Sequence, residues 1–385
     1  MYAFKTLVAI LALSLVSVEA VPVRHRRRDS CRAHSSSAVL ATTSTASVTT
    51  DVSSVTTSIA DSTTSASASI ITSKSSSKAA TSSTRKASST SSSASSSATG
   101  SSSNSSGLSG LLKKLFPVSD SVSWTTSTAA SDALSLSDAT FGVTKLIKAL
   151  THTYMNAPDG KMSMQAHYPK GSYTFGHSPQ GGFSFYATGP SDFSLADAKE
   201  ATLSYTVMFD EGFDFNKGGK LPGLYGGDSA TEAASCSGGR RDDGCWSARF
   251  MWRTGGMGEL YTYLPPSYSA NKAVCNVAPQ SECNSVYGAS VGRGSFNFAA
   301  GTRALIGQRV KLNDVGQENG ELELFVNGES VFTVQGLVFR DKEEGRFQGI
   351  QMQTFFGGTL DASWGSPKDQ NTYFSDFSVA VTEKF

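Results

Sequence analysis

Cys245-Trp246-Ser247-Ala248-Arg249-Phe250-Met251-Trp252-Arg253 is followed by Thr254-Gly255-Gly256 and then by Met257-Gly258-Glu259-Leu260-Tyr261-Thr262-Tyr263-Leu264. Both long runs alternate with period two, as a strand with one buried face does. If the Thr-Gly-Gly break closes a hairpin, Arg253 faces Met257, Arg249 faces Tyr261 and Ser247 faces Tyr263. One face then reads Trp246, Ala248, Phe250 and Trp252 against Leu260, Thr262 and Leu264, and it is the core face. The other face gathers a hydroxyl, a guanidinium and two phenols, with Glu259 beside Met251 at its end. Opposed side chains on one face lie roughly 4.5–5.5 Å apart at Cβ. A solvated sheet face usually scatters Lys, Glu and Thr. Two tyrosines facing Arg and Ser point instead to a site.

The same period recurs on both sides of this hairpin. Segments 161–168, 183–187, 202–209, 304–312, 347–356 and 373–381 alternate, and Asn327-Gly328 joins 321–326 to 329–334 with a strong two-residue hairpin signal. Only Asp138 to Leu150 reads as a helix, with Asp138 as its N-cap. Many strands punctuated by glycine turns predict an all-β domain, an antiparallel β-sandwich or β-jelly roll over residues 161–385, with 108–160 as the linker leading into it.

The chain has 385 residues and a formal net charge of +1, which hides two opposed parts. Residues 21–107 hold nine Lys/Arg against three Asp/Glu, while 108–385 hold 23 against 28. A folded part with net negative charge and no basic run is a poor nucleic-acid binder. Any polyanion it holds must be met by a few placed cations. Residues 1–20 read as a signal peptide, with Lys5, the apolar stretch Leu7 to Val16 and small residues before a cut after Ala20. That stretch is too short to span a bilayer, so a secreted protein without a membrane anchor is expected, free outside the cell or held at the cell wall. Arg24 to Arg28 reads equally as a processing site or a solvated patch. Of residues 35–107, 45 of 73 are Ser or Thr, without Pro, Phe, Tyr or Trp. Such a leader cannot bury enough apolar surface to offset its chain entropy, and it reads as disordered and O-glycosylated. Asn104 adds an N-glycosylation sequon.

Cysteines fit the same compartment. Cys31 is left over in the leader. Cys236, Cys245, Cys275 and Cys283 allow three pairings, and the short separations favour Cys236–Cys245 and Cys275–Cys283. Neither spacing is that of a structural zinc site. His152, His167 and His177 lie outside the hairpin and read as structural, although His167 or His177 could line a cleft.

Phe215-Asn216-Lys217-Gly218-Gly219-Lys220-Leu221-Pro222-Gly223-Leu224-Tyr225-Gly226-Gly227 resembles the signature loop of polysaccharide lyase family 14, secreted β-jelly-roll enzymes that include alginate lyases and related uronate-polymer lyases. Ser247-x-Arg249 and Tyr261-x-Tyr263 resemble that family's active-site strands. Segments 290–295, with Arg293, and 351–358, with Gln351 and Gln353, are similar too, as are 364–369 and 373–377. The resemblance runs from Met162 to Val381, and the Ser/Thr-rich leader resembles that of fungal members. It implies catalytic roles for Lys220, preferred over Lys217, and for Ser247, Arg249, Tyr261 and Tyr263. Lys217, Glu259, Arg293, Gln351 and Gln353 would then bind substrate. Segment 228–244 looks like a loop that could reshape the subsites.

These residue types suit β-elimination. A lyase removes the C5 proton of a uronic acid and expels the oxygen at C4, so negative charge builds on an already anionic carboxyl group. Arg249 and Lys220 would neutralise it, and a phenol whose pKa a cation lowers could act as base or acid. No metal or cofactor is required. A monomer is expected to act on an anionic polysaccharide of alginate or glucuronan type. Two rivals belong to other classes. A glycoside hydrolase needs a carboxyl pair, for which Glu321 and Glu323 are the available strand neighbours. A carbohydrate-binding lectin needs only the sandwich.

Overall fold

The computed structural model describes residues 102–120, 122–359 and 361–385. The expected signal peptide, the Arg24–Arg28 run, Cys31 and the Ser/Thr tract as far as residue 101 lie outside these residues. In chain order the elements are α1 (Ser102–Leu115), β1 (Val122–Thr125), α2 (Asp138–Phe141), β2 (Val143–Thr144), β3 (Thr153–Asn156), β4 (Met162–Tyr168) and β5 (Phe183–Ala187). Then follow β6 (Ala198–Phe209), β7 (Gly218–Gly227), α3 (Ala230–Ala233), β8 (Cys245–Arg253), β9 (Met257–Tyr263) and β10 (Ala289–Asn297). Finally come β11 (Arg303–Lys311), β12 (Gly320–Val326), β13 (Glu329–Leu337), β14 (Arg346–Phe356) and β15 (Gln370–Lys384).

The strands form two antiparallel sheets. One runs β13-β12-β11-β6-β15-β4-β3, with β1 also paired to β15; the other runs β10-β9-β8-β7-β14-β5-β2. Aromatic side chains fill the space between them. Tyr205 meets Phe250 at 5.7 Å between ring centroids, Phe209 meets Trp252 at 5.6 Å and Phe183 meets Phe374 at 5.4 Å. Edge-on contacts of this kind add to the area buried by each ring. This is the expected sandwich.

The hairpin forms in the expected register. Ser247 pairs with Tyr263, Arg249 with Tyr261 and Met251 with Glu259. Gly255 and Gly256 take positive φ in the turn, 69° and 83°, which glycine adopts without steric cost. The second hairpin also forms, with Asn327 and Gly328 at φ 54° and 82°.

Three local expectations differ from what the chain does. The helix expected over 138–150 is one turn, Asp138–Phe141, because Gly142 takes the left-handed conformation and ends it. Its cap is Ser137, whose Oγ accepts from Thr140 N, so Asp138 is free to accept from Tyr154 and to pair with His152. At the other end of the leader, α1 takes in residues 102–107, which composition assigned to the disordered tract; Asn104 falls in its first turn. Its later leucines, Leu111, Leu112 and Leu115, are partly or fully covered. The segment 108–160 also supplies β1, β2 and β3 to the sheets.

The largest difference is β7. Its glycines and proline gave it the look of a loop, yet it is a buried strand between β8 and β14. Two tryptophans on the core side of β8 explain the composition. A Cβ at Gly219 would lie 2.1 Å from the Trp252 ring, and one at Gly226 would lie 2.6 Å from the Trp246 ring. Bare backbone lets both indoles lie against the strand. Pairing shifts between Lys220, opposite Met251, and Gly223, opposite Arg249, so three β7 residues span what two span on β8. That is a bulge, and it tolerates Pro222, which has no N–H to give a ladder. Pro222 O instead accepts from Tyr205 OH at 3.0 Å. Without the extra residue, Lys220 and Gly223 would face opposite sides.

Gly219→Ala is therefore expected to lower unfolding stability by about 1–3 kcal/mol through overpacking, measured by urea titration. Gly176→Ala, where an added Cβ meets nothing within 4 Å, should leave the midpoint unchanged.

Candidate active site

The outer face of the β10–β2 sheet carries a cleft of about 540 Å³. Its floor holds Lys220 from β7, Arg249 from β8, Tyr261 and Tyr263 from β9, and Gln353 from β14. Tyr186 of β5 continues the floor. One wall is the segment around Phe175 and His177 with Phe355; the other is the 234–240 loop with Tyr287. No Asp or Glu lines it among the described residues. A second cavity, of about 240 Å³ beside Cys275–Cys283, contains neither Lys220 nor Arg249 in its wall. Among the described residues no group of three or more His, Cys, Asp or Glu side chains is arranged to hold a metal ion.

Arg249 dominates the electrostatics. It is 2% exposed, and its Nη1 donates to Gln353 Oε1 at 3.1 Å while Nε has no partner. No carboxylate pairs with it among the described residues. Gln353 is itself held by Gln351, whose Nε2 donates to its Oε1 at 2.8 Å, and by donating to Ser184 Oγ at 3.1 Å. Burial lowers the Arg249 pKa, but the group remains a cation.

Lys220 is the second buried basic group. Its Nζ lies 3.1 Å from the centroid of the Tyr261 ring and against Met251 Sδ. Burial first, then the positive charges of Arg253 and Arg249, hold its pKa well below the usual lysine value. Tyr261 moves the other way. Burial raises its phenol above the ordinary value, with Tyr263 adding to this, and the pull from Arg249 does not offset it. A cation does pull this phenol down, as expected of the site's tyrosines, but desolvation outweighs it. Tyr263 OH accepts from Gly239 N at 3.0 Å, which keeps its own proton free to donate.

Two of the expected site residues lie beneath the floor. Ser247 is 1% exposed, and its Oγ donates to Cys236 O at 3.1 Å, fixing the disulfide loop to β8. Gln351 steadies Gln353 and donates to Tyr186 OH at 3.4 Å. The structure does not bring Lys217, Glu259 and Arg293 to the cleft. Lys217 precedes β7 and does not line the cleft, and its ammonium pairs with Asp361 at 3.6 Å. Glu259 is fully buried, and its charge is matched by Arg253 at 2.7 Å and Arg293 at 3.1 Å. Arg293 also reaches Glu282. Glu321 and Glu323 both bind Arg309 at 2.7 Å on the other sheet, so neither faces the cleft.

Both disulfides form as expected, Cys236–Cys245 and Cys275–Cys283. The first closes the loop that supplies Ser237, Gly238 and Arg240 to the cleft wall. His177 lines the cleft, stacked on Tyr173 and hydrogen bonded through Nδ1 to Thr174 Oγ1 at 2.7 Å. His152 and His167 are held elsewhere, by Asp138 and by Asn371. Sequence reasoning missed Tyr186 and Arg240. For Tyr186 the signal was its place between Phe185 and Ala187 in an alternating strand. Arg240 gave none.

The Polysaccharide lyase 14 family matches residues 156–377. Among solved structures, the marine PL-14 alginate lyase from Aplysia kurodai is similar at 30% identity and TM-score 0.56, covering 68% of this chain and 99% of that one. Alginate lyase vAL-1 from Chlorella virus is similar at 25% identity and TM-score 0.52, covering 64% of this chain and 93% of that one. Curated protein sequences give no match. With more than half of the chain matched and the cleft on the sandwich sheet that carries the expected strands, this protein belongs to polysaccharide lyase family 14 and is a polysaccharide lyase.

Proposed function

We propose that this protein is a secreted enzyme cleaving a polyuronate of alginate or glucuronan type by β-elimination. The observation that carries the reading is Arg249, a guanidinium buried in the floor of the cleft and left without a counter-charge among the described residues. Removing one partner of a buried ion pair typically costs about 3–5 kcal/mol, because a charge is left uncompensated. A planar carboxylate presented by the substrate matches the guanidinium fork and supplies the missing charge. Two disulfides and the absence of a membrane-crossing helix among the described residues fit an extracellular enzyme.

In this reading Arg249, oriented by Gln353, holds the uronate carboxylate and stabilises the charge that develops on it when the C5–H bond breaks. Lys220, with its lowered pKa, offers a neutral amine to take that proton. The electron pair left on C5 forms the C4–C5 double bond as the C4–O bond breaks. A phenol, Tyr263 or Tyr261, gives its proton to the departing oxygen, and the Lys220 ammonium returns a proton to the phenolate. The sequence pattern gives both proton transfers to the tyrosines and only charge neutralisation to Lys220; here Lys220 takes the base's part, because burial pushes the amine down and the Tyr261 phenol up. The cleft offers no carboxyl pair for a hydrolase, since no Asp or Glu lines it among the described residues.

Two tests follow, both read by ultraviolet absorbance of unsaturated uronate products. Arg249→Ala should reduce turnover on the order of 10²-fold or more, by comparison with loss of one preorganised stabiliser, and Arg249→Lys should be intermediate. Near-normal turnover in Arg249→Ala contradicts the role. In the pH profile, a neutral Lys220 base gives kcat/KM that rises as pH rises through the lowered amine pKa and levels off below pH ~10.4, the ordinary lysine value. A phenolic base would put the rising limb above pH ~10 instead, because burial raises that phenol.

A further inference from the structure

We propose that Arg240 forms a second carboxylate-binding subsite, so that the cleft engages two uronate units of one polymer chain at once. This rests on the lyase reading above. Nine arginines lie in the described residues. Arg253, Arg293, Arg303, Arg309, Arg340 and Arg346 each reach a carboxylate of the protein. Arg240, Arg241 and Arg249 do not, and two of these, Arg240 and Arg249, line the same cleft.

Their placements differ in a way that suits a chain rather than a single sugar. Arg249 is buried in the floor, whereas Arg240 is exposed on the wall formed by the disulfide loop. Tyr186 lines the same cleft; its OH donates to Ala234 O at 2.9 Å, and its phenol feels the positive charge of both guanidiniums. Arg240 Nε donates to Ser235 O at 2.9 Å. That bond fixes the head of the side chain, and its terminal nitrogens have no protein acceptor among the described residues. A polyuronate carries a carboxylate on every sugar, so two unpaired guanidiniums along one cleft match successive or alternate units.

The loop is also tied to the floor. Cys236–Cys245 closes it, Ser247 Oγ holds Cys236 O, and Gly239 N donates to Tyr263 OH. A guanidinium on so constrained a loop is positioned before substrate arrives, which spares binding the ordering of that segment. Arg240 is thus a substrate-binding residue rather than a catalytic one. Its effect belongs in affinity for the polymer, while Arg249 acts on the reacting sugar.

The test compares wild type, Arg240→Gln and Arg240→Lys on oligomers of mannuronate, guluronate and glucuronate. Turnover gives KM and kcat, and calorimetry gives Kd. Arg240→Gln should raise KM and Kd for the cleaved polyuronate about three- to tenfold at low salt, with kcat within about twofold. The difference should shrink as ionic strength rises toward ~1 M, Arg240→Lys should recover part of it, and the thermal midpoint should not move. Equal KM for wild type and Arg240→Gln in an active enzyme overturns the subsite and leaves the lyase reading standing. A parallel fall in kcat and thermal midpoint also overturns it, by showing a loop defect. If wild type releases no unsaturated uronate from any of these, the lyase reading falls. The subsite is then decided by Kd alone: weaker binding in Arg240→Gln supports it, and equal binding overturns it.

Discussion

A guanidinium that the protein buries and does not neutralise organises the cleft. Arg249 sits mid-strand in β8, flanked by Ala248 and Phe250, which point into the core with Trp246 and Trp252. The strand cannot turn Arg249 away from the cleft face without pulling those aromatic groups from between the sheets. The same sheet face shows how the fold treats a charge that it does not leave open. Arg253 and Arg293 are both given Glu259, which is fully buried. Arg249 receives only the amide oxygen of Gln353. A neutral acceptor orients a guanidinium but does not cancel its charge, so an anionic ligand retains most of the Coulombic advantage.

Burial sets the chemistry of its neighbours, and at Lys220 nearby positive charge adds to it. Lys220 is buried among positive groups, and both effects favour its neutral form. Tyr261 lies against it, with burial favouring the protonated phenol. In the proposed elimination, the amine pushed down is suited to act as the base and the phenol pushed up as the acid. The β7 bulge makes this possible. It brings Lys220 to the cleft face while Leu221 and Leu224 stay in the core. The glycines flanking the bulge leave space for the tryptophans that anchor β8. Substrate recognition and core packing therefore meet in one strand.

Period-two alternation and a glycine turn were enough to read the β8–β9 hairpin to the residue, because one-sided burial and a tight turn together permit a single register. Lys220, Arg249, Tyr261, Tyr263 and Gln353 were legible for this reason or through the family resemblance. β7 was misread because its composition answers to Trp246 and Trp252 on another strand, which no local pattern reveals. The substrate-binding roles that the resemblance suggests for Glu259 and Arg293 fail because neither motif nor period distinguishes a charge open to a cleft from one paired beneath it. Arg240 was invisible. Its position depends on a disulfide loop whose path is set by Cys236–Cys245 and by hydrogen bonds to Ser247 and Tyr263. The helix expected after Asp138 failed at one glycine, Gly142.

The central claim is that recognition and catalysis both require the substrate carboxylate to complete the Arg249 site. It is tested most directly by giving the wild-type enzyme a polyuronate and the same polymer with its carboxyl groups reduced to alcohols. Unsaturated products and new reducing ends are counted together. The account predicts one unsaturated end for each new reducing end from the polyuronate, and no cleavage of the reduced polymer. Cleavage of both polymers at similar rates, or reducing ends without unsaturation, would contradict it.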